Sequence, residues 1–334
     1  MNNKNQKLFI KIAFSKRIGT GHFYRSIFLA KELLKKKIQI FICYNKYFNK
    51  SQIKVIKENK FIYLGNLKNF NHIKQKIKDL NITNILIDDP SILFKEQKKY
   101  KKIAKNLILY QDIPKRNFCD IVINHNLISN SKYKYKQISE PKTDFLLGLD
   151  NFFLKKRNHK IVKKNKRVIV FFGGTTNLNI INKTLNVISN EIFNKYIFIV
   201  VIGGLTKISK MKKYKKNIKI LKSMDQNKFH KYISESRYII CSGGTTLLEA
   251  IVLKTFPIVL QTAKNQKYNI TYLKNKNIIS FLVSKNFKKK NMTNILINKL
   301  LKNKNEKNLI LAQNRHKSYV DDLPNKVYEF LINK

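Results

Sequence analysis

The side chains best suited to chemistry in this sequence gather in one short segment, Arg17-Ile18-Gly19-Thr20-Gly21-His22-Phe23-Tyr24-Arg25. His22 carries an imidazole, which exchanges protons near neutral pH. Arg25 places a cation one helical turn further on. An apolar run over residues 8–14 precedes the segment, and Phe23, Ile27, Ala30 and Leu34 recur after it at helical spacing. The pattern is a strand, a glycine turn and a helix. Gly19 and Gly21 allow the backbone to approach a bound group with no Cβ in the way. The helix start offers unpaired N–H groups and a positive dipole end, which suit a phosphate or a developing anion. A tight strand–helix turn with a polar cap would use the same residue types.

A second segment, Cys241-Ser242-Gly243-Gly244-Thr245-Thr246-Leu247-Leu248-Glu249-Ala250, follows the same logic. Gly244, Thr245 and Thr246 at a helix start can hold a diphosphate. Glu249, one turn in, can accept hydrogen bonds from vicinal hydroxyls such as those of a ribose. It could equally cap the helix. Asn265 and Gln266 follow the Pro257-containing strand and can reach back to the same ligand. Together these residues point to a nucleotide-sugar site.

The elements that must position these groups alternate along the chain. Strands are expected at 38–43, 61–64, 84–87, 107–110 and 121–123, with helices between them. The acidic residues Asp88, Asp89 and Asp112 fall just past strand ends, where ligands bind in doubly wound sheets. Each could also cap the next helix. Residues 130–166, rich in Ser, Lys, Tyr and Asn, read as a linker. The alternation then resumes, with strands at 167–172, 197–202, 218–221, 238–241, 256–260 and 278–283 and a helical tail after 290. The expected fold is α/β, two doubly wound Rossmann-like domains facing a cleft, over residues 1–150 and 160–334.

The net charge of +50 would ordinarily suggest nucleic acid. Nearly all of the excess is Lys spread along the whole chain, with Arg only at positions 17, 25, 116, 157, 167, 237 and 315. That distribution fits solvated faces and argues against specific nucleic-acid binding. Charge alone leaves a weak association with anionic membrane. Cys43, Cys119 and Cys241 form no Cys-x-x-Cys pair and read as reduced core residues. The longest apolar stretch, near 196–202, is too short to span a bilayer, and the N-terminus carries no signal-peptide pattern. A cytoplasmic protein without a metal site is expected.

Several pieces of the sequence carry a resemblance. Gly244-x-x-x-x-Glu249-Ala250, a Pro-containing strand and Asn265-Gln266 look like the donor half of two-domain GT-B nucleotide-sugar proteins. The chain more narrowly resembles the UDP-2,4-diacetamido-2,4,6-trideoxy-β-L-altropyranose hydrolases of pseudaminic acid biosynthesis. The matching pieces are Ile18-Gly19-Thr20-Gly21-His22-x-x-Arg25 with Leu29-Ala30, Leu86-Ile87-Asp88, and Asp112 with Cys119-Asp120-Ile121-Val122-Ile123-Asn124. Leu146-Leu147-Gly148, Phe172-Gly173-Gly174 and Gly244-Thr245-Thr246 through Asn265-Gln266 follow in family order. The chain has Asp88-Asp89-Pro90 where members often carry Asp-x-Tyr.

This resemblance implies hydrolysis of the bond between an anomeric carbon and a diphosphate, with His22 as the base and no cofactor. It implies sugar contacts from Gly19, Gly21, Arg25, Asp88 and Gly174. UDP contacts would come from Gly244, Thr245, Thr246, Glu249, Asn265 and Gln266. A GT-B glycosyltransferase, with an acceptor hydroxyl in place of water, shares every one of these features. A non-catalytic basic binding protein would leave both glycine segments unexplained.

Overall fold

The structure is a computed structural model. It describes residues 6–13, 20–44, 50–67, 69–128, 131–152, 154, 165–174, 178–204, 206, 214–222, 224–276, 278–279, 281–283, 289–301 and 322–333. The chain divides into two compact units, Met1–Lys156 with Tyr319–Lys334, and Arg157–Ser318.

In the first unit, strands β1 (Lys7–Ile12), β2 (Gln39–Tyr44), β3 (Ile62–Asn66), β4 (Asn84–Asp88), β5 (Asn106–Tyr110), β6 (Ile121–Asn124) and β7 (Asp144–Leu147) form one sheet. Helices α1 (Gly21–Lys35), α2 (Lys50–Glu58), α3 (Phe70–Asp79), α4 (Phe94–Lys101) and α5 (Ser131–Ile138) alternate with them. The second unit holds β8 (Asn165–Phe171), β9 (Ile197–Ile202), β10 (Ile218–Lys222), β11 (Ser236–Ser242), β12 (Phe256–Gln261) and β13 (Phe281–Val283). Its helices are α6 (Leu178–Ile188), α7 (Gln226–Ser234), α8 (Thr245–Val252), α9 (Lys267–Asn275) and α10 (Lys289–Leu296). Helix α11 (Asp322–Asn333) follows and belongs to the first unit.

Both sheets are parallel, in the orders β3-β2-β1-β4-β5-β6-β7 and β10-β9-β8-β11-β12-β13. Parallel strands are covered by helices on both faces, so they read as continuous apolar runs. Strands β4, β5 and β6 are buried at every residue. In each sheet the chain first winds outward in one direction and then crosses back. The reversal lies between β1 and β4 in the first unit and between β8 and β11 in the second. A crevice opens at such a reversal, beyond the C-terminal strand ends. The two glycine segments of the sequence follow β1 and β11, so each leads to one of these crevices.

Two expectations are corrected. The stretch read as a linker contains α5 and the edge strand β7, which pairs with β6 from Ile121↔Asp144 to Asn124↔Leu147. Residues 155–164 of that stretch lie outside the described residues. The tail assigned to the second domain instead supplies α11 to the first unit. Leu323, Val327 and Leu331 of α11 are buried, and Lys36 at the end of α1 lies 4.7 Å from the Tyr328 ring. Among the described residues no helix is long and apolar enough to cross a membrane.

Candidate functional site

The first constellation is built by α1, β4 and β5. His22, Arg25 and Ser26 stand at i, i+3 and i+4 on α1 and therefore share one helix face. That face turns toward the end of β4, where Asp88 is fully buried. The register Ile12↔Asp88 and the Ala13 N–H bond to the Asp88 carbonyl, 2.8 Å, bring the chain leaving β1 alongside it.

The Asp88 carboxylate is a hub. Oδ1 accepts from His22 Nδ1 at 2.6 Å and from Arg25 Nη2 at 2.5 Å. Oδ2 accepts from Arg25 Nε at 2.7 Å and from the Ser26 hydroxyl at 2.9 Å. Arg25 Nη1 continues to Asp112 Oδ1 at 2.6 Å, and its guanidinium lies 4.5 Å from the Tyr110 ring centre. The ionised Asp88 carboxylate can only accept, so the Nδ1 proton goes to it, and the 2.9 Å approach of Arg25 Nη2, itself a donor, to Nδ1 is a contact. His22 Nε2 is then the atom left for a ligand. It lies 3.4 Å from Asp112 Oδ2.

Burial works against ionisation of Asp88 and Asp112, but the neighbouring Arg25 charge, with His22, outweighs it and holds both carboxyls below the usual range. Burial likewise opposes the Arg25 charge, and Asp112 and Asp88 more than restore it. Beside the cluster, His125 packs edge-on against Tyr110 and Phe152. Burial, reinforced by Arg25, pushes His125 down to about 3 against the pull of Asp112 and Asp88. Its Nδ1 has no hydrogen-bond partner among the described residues.

Among the expected sugar contacts, Asp88 is fully buried and its oxygens accept from His22, Arg25 and Ser26. Arg25 is 7% exposed and is spent on two carboxylates. Gly21 opens α1, and Gly19 lies outside the described residues. Ser26 and His125 were not singled out, although Ser26 was legible as the i+4 neighbour of His22.

The second constellation follows β11. Gly243 donates its N–H to Gln266 Oε1 at 3.3 Å, and its carbonyl accepts from Asn269 Nδ2 at 3.2 Å. A Cβ on Gly243 would lie 2.6 Å from the Ile270 side chain, so α9 packs directly on the turn. Gln266 Oε1 also accepts from Thr262 N at 2.8 Å, and its Nε2 donates to Thr262 Oγ1 at 3.0 Å. Gln266 therefore ties the loop after β12 to the glycine turn, and its carbonyl is not free to reach a ligand. Asn265 is exposed beside it. Gly244 precedes α8, whose first turn carries the half-buried Thr245 and the buried Thr246.

On the same helix the buried Glu249 places Oε1 3.2 Å from His230 Nε2 and 3.4 Å from Gln226 Nε2, both on α7. At the neighbouring reversal strand, Gly173 adopts φ 109°, and Gly174 packs against Gly203. A Cβ on Gly203 would come within 2.3 Å of the Gly173 carbonyl and 2.5 Å of Gly174 Cα. Among the described residues no group of three or more His, Cys, Asp or Glu side chains could hold a metal ion.

Residues 168–324 match the glycosyltransferase family 28 C-terminal domain. The whole chain superposes on the crystal structure of the glycotransferase of kitacinnamycin with a TM-score of 0.74, over 99% of each chain, at 9% identity. The fold is GT-B. Among curated sequences the chain is 28% identical over 274 residues to an uncharacterised protein of Methanocaldococcus jannaschii, covering 76% of this chain and 55% of that one. The chain thus spans about half the length of that relative. It is 23% identical over 279 residues to the UDP-2,4-diacetamido-2,4,6-trideoxy-β-L-altropyranose hydrolase of Campylobacter jejuni, covering 81% of this chain and 97% of that protein. The match to the family 28 C-terminal domain covers the second glycine segment described above.

Proposed function

We propose that the chain is a hydrolase that releases UDP from a UDP-linked 2,4-diacetamido-2,4,6-trideoxy-β-L-altropyranose, in the biosynthesis of pseudaminic acid. The observation that carries this reading is the His22–Asp88 pair. A buried carboxylate holds the imidazole by Nδ1 at 2.6 Å and leaves Nε2 as an oriented proton acceptor. The likeness to the Campylobacter jejuni hydrolase over nearly its full length supports the choice of substrate.

In this mechanism water attacks the anomeric carbon while His22 Nε2 takes its proton. The bond from that carbon to the diphosphate oxygen breaks, and UDP leaves with the electron pair. General base catalysis of this kind contributes about 10²–10⁴-fold. The first unit would supply the sugar site and the base. The second would hold UDP, with the diphosphate against the N–H groups of Thr245 and Thr246 at the start of α8 and the ribose hydroxyls on Glu249. Asn265 is exposed next to the turn and completes the UDP contacts.

The match of residues 168–324 to a glycosyltransferase domain favours a second reading, in which an acceptor hydroxyl replaces water. One experiment separates the two: incubation with the UDP-linked diacetamido sugar and no acceptor. Stoichiometric release of UDP and free sugar is expected. No release without an added acceptor would overturn the hydrolase in favour of the transferase.

A further inference from the structure

Glu249 is not held by its own helix. Its Oε1 is gripped from α7 by two donors, His230 Nε2 at 3.2 Å and Gln226 Nε2 at 3.4 Å. These two residues are one helical turn apart and present the same face of α7. Helix α7 is seated on the sheet by Phe229, whose ring meets Phe171 of β8 at 4.7 Å between centres. The amide of Gln226 must face Glu249 with its nitrogen, because the opposite orientation would set two acceptor oxygens against each other. That choice leaves Gln226 Oε1 buried with no hydrogen-bond partner among the described residues. Glu249 Oε2 makes no hydrogen bond among the described residues either, although the side chain is only 7% exposed. Gln226 Oε1 is thus the buried acceptor of this cluster that lacks a donor among the described residues, where buried acceptors are ordinarily paired, while Glu249 Oε2 stays in contact with solvent.

We infer that Gln226 and His230 are positioning residues that make the Glu249 site selective for a ribonucleoside diphosphate over its 2′-deoxy counterpart. The inference rests on the assignment of Glu249 to the ribose. A vicinal diol brings two hydroxyl donors a short distance apart, which suits a carboxylate oxygen with both lone pairs open. His230 and Gln226 spend Oε1 on the protein and so fix the carboxylate with Oε2 presented to the diol. A 2′-deoxyribose offers one donor fewer and leaves an acceptor unpaired, which is costly in a buried site.

The test is calorimetric titration of the full chain with UDP and with 2′-deoxy-UDP. The wild type is expected to prefer UDP by about tenfold or more, the worth of one hydrogen bond to a charged group. Gln226→Ala and His230→Ala are each expected to shrink this ratio by weakening UDP binding while leaving 2′-deoxy-UDP binding nearly unchanged. His230→Gln, which keeps a donor nitrogen, is expected to recover part of the preference. A merely structural role would weaken both nucleotides alike, so the ratio reports positioning even in a destabilised variant. Gln226, half-buried at the start of α7, gives an answer if His230→Ala does not fold. UDP binding with no preference in the wild type, or a preference untouched by both variants, would overturn this inference and leave the UDP site standing. Failure of the wild type to bind UDP at all would overturn both.

Discussion

His22 and Asp88 stand 2.6 Å apart, and nearly everything around them fixes that distance. Asp88→Asn removes the charge that Arg25 and His22 share. An amide nitrogen at that position can donate to Nδ1, which puts the imidazole proton on Nε2 and removes the base. UDP release should fall by about 10²–10⁴-fold, the contribution of an oriented base. Breaking a buried ion pair on one side should also cost about 3–5 kcal/mol of stability, read from urea melts. A second prediction concerns His125. In the unfolded chain this imidazole takes up a proton near pH 6.5, and in the folded protein only near about 3. Between those values the unfolded state binds more protons, so stability falls as pH is lowered, by up to about 1.4 kcal/mol per pH unit. Asp88 and Asp112 act in the same direction at lower pH, since their depressed folded values make their contribution present above the unfolded carboxylate range and lost below it. Urea melts from pH 7 to pH 3 should show the decline, and His125→Phe should flatten its upper part. An equal slope in that variant would remove the assignment. At this scale the sequence showed which side chains could do chemistry but not which were already spent. Asp88 and Asp112 both read as strand-end acids, and only the geometry distinguishes the fully buried hub from its 15% exposed partner. His230 belongs to no motif in the sequence, because its partner Glu249 lies 19 positions away.

Glycines at different places in the two sheets differ in their tolerance for added atoms. Gly203→Ala would push a Cβ into the backbone of Gly173 and Gly174, neither of which can swing aside. The expected loss is about 1–3 kcal/mol in unfolding of the second unit, with weaker UDP binding because the Gly173-Gly174 loop must shift. Gly65→Ala, whose Cβ would meet nothing within 4 Å but whose φ is +75, should lose stability through backbone strain alone and leave UDP binding unchanged. Calorimetric binding beside thermal melts separates the two cases. The central strands were legible because parallel strands buried on both faces are unbroken apolar runs, as in Asn84–Asp88 and Asn106–Tyr110. Strand β7 was not legible. It is short, lies at the sheet edge and is only partly buried, and the preceding α5 is mostly Lys and Tyr. No apolar period marks either against the lysine-rich background.

The charge of +50 belongs to the whole molecule and not to any one element. Lysines lie on nearly every helix, and few arginines are available to fork onto a base edge or a phosphate. Binding to unrelated DNA sequences should therefore be equal among them. It should collapse by about 10³-fold or more between roughly 50 and 200 mM salt, as counterion release requires. Vesicles containing anionic lipid should show the same salt sensitivity in a sedimentation assay. Sequence discrimination that survives physiological salt would instead point to a dedicated nucleic-acid surface. Helix α11 has a different kind of consequence. Its buried Leu323, Val327 and Leu331 serve the first unit, yet the ribosome makes them only after all of Arg157–Ser318. The second unit is contiguous and can close as soon as its own residues leave the exit tunnel. The seven-stranded sheet is made first and finished last, so α1 waits with its cover missing while another unit is translated. A chain truncated after Ser318 and released from the ribosome should be protected from protease in the second unit and still be cut in the first.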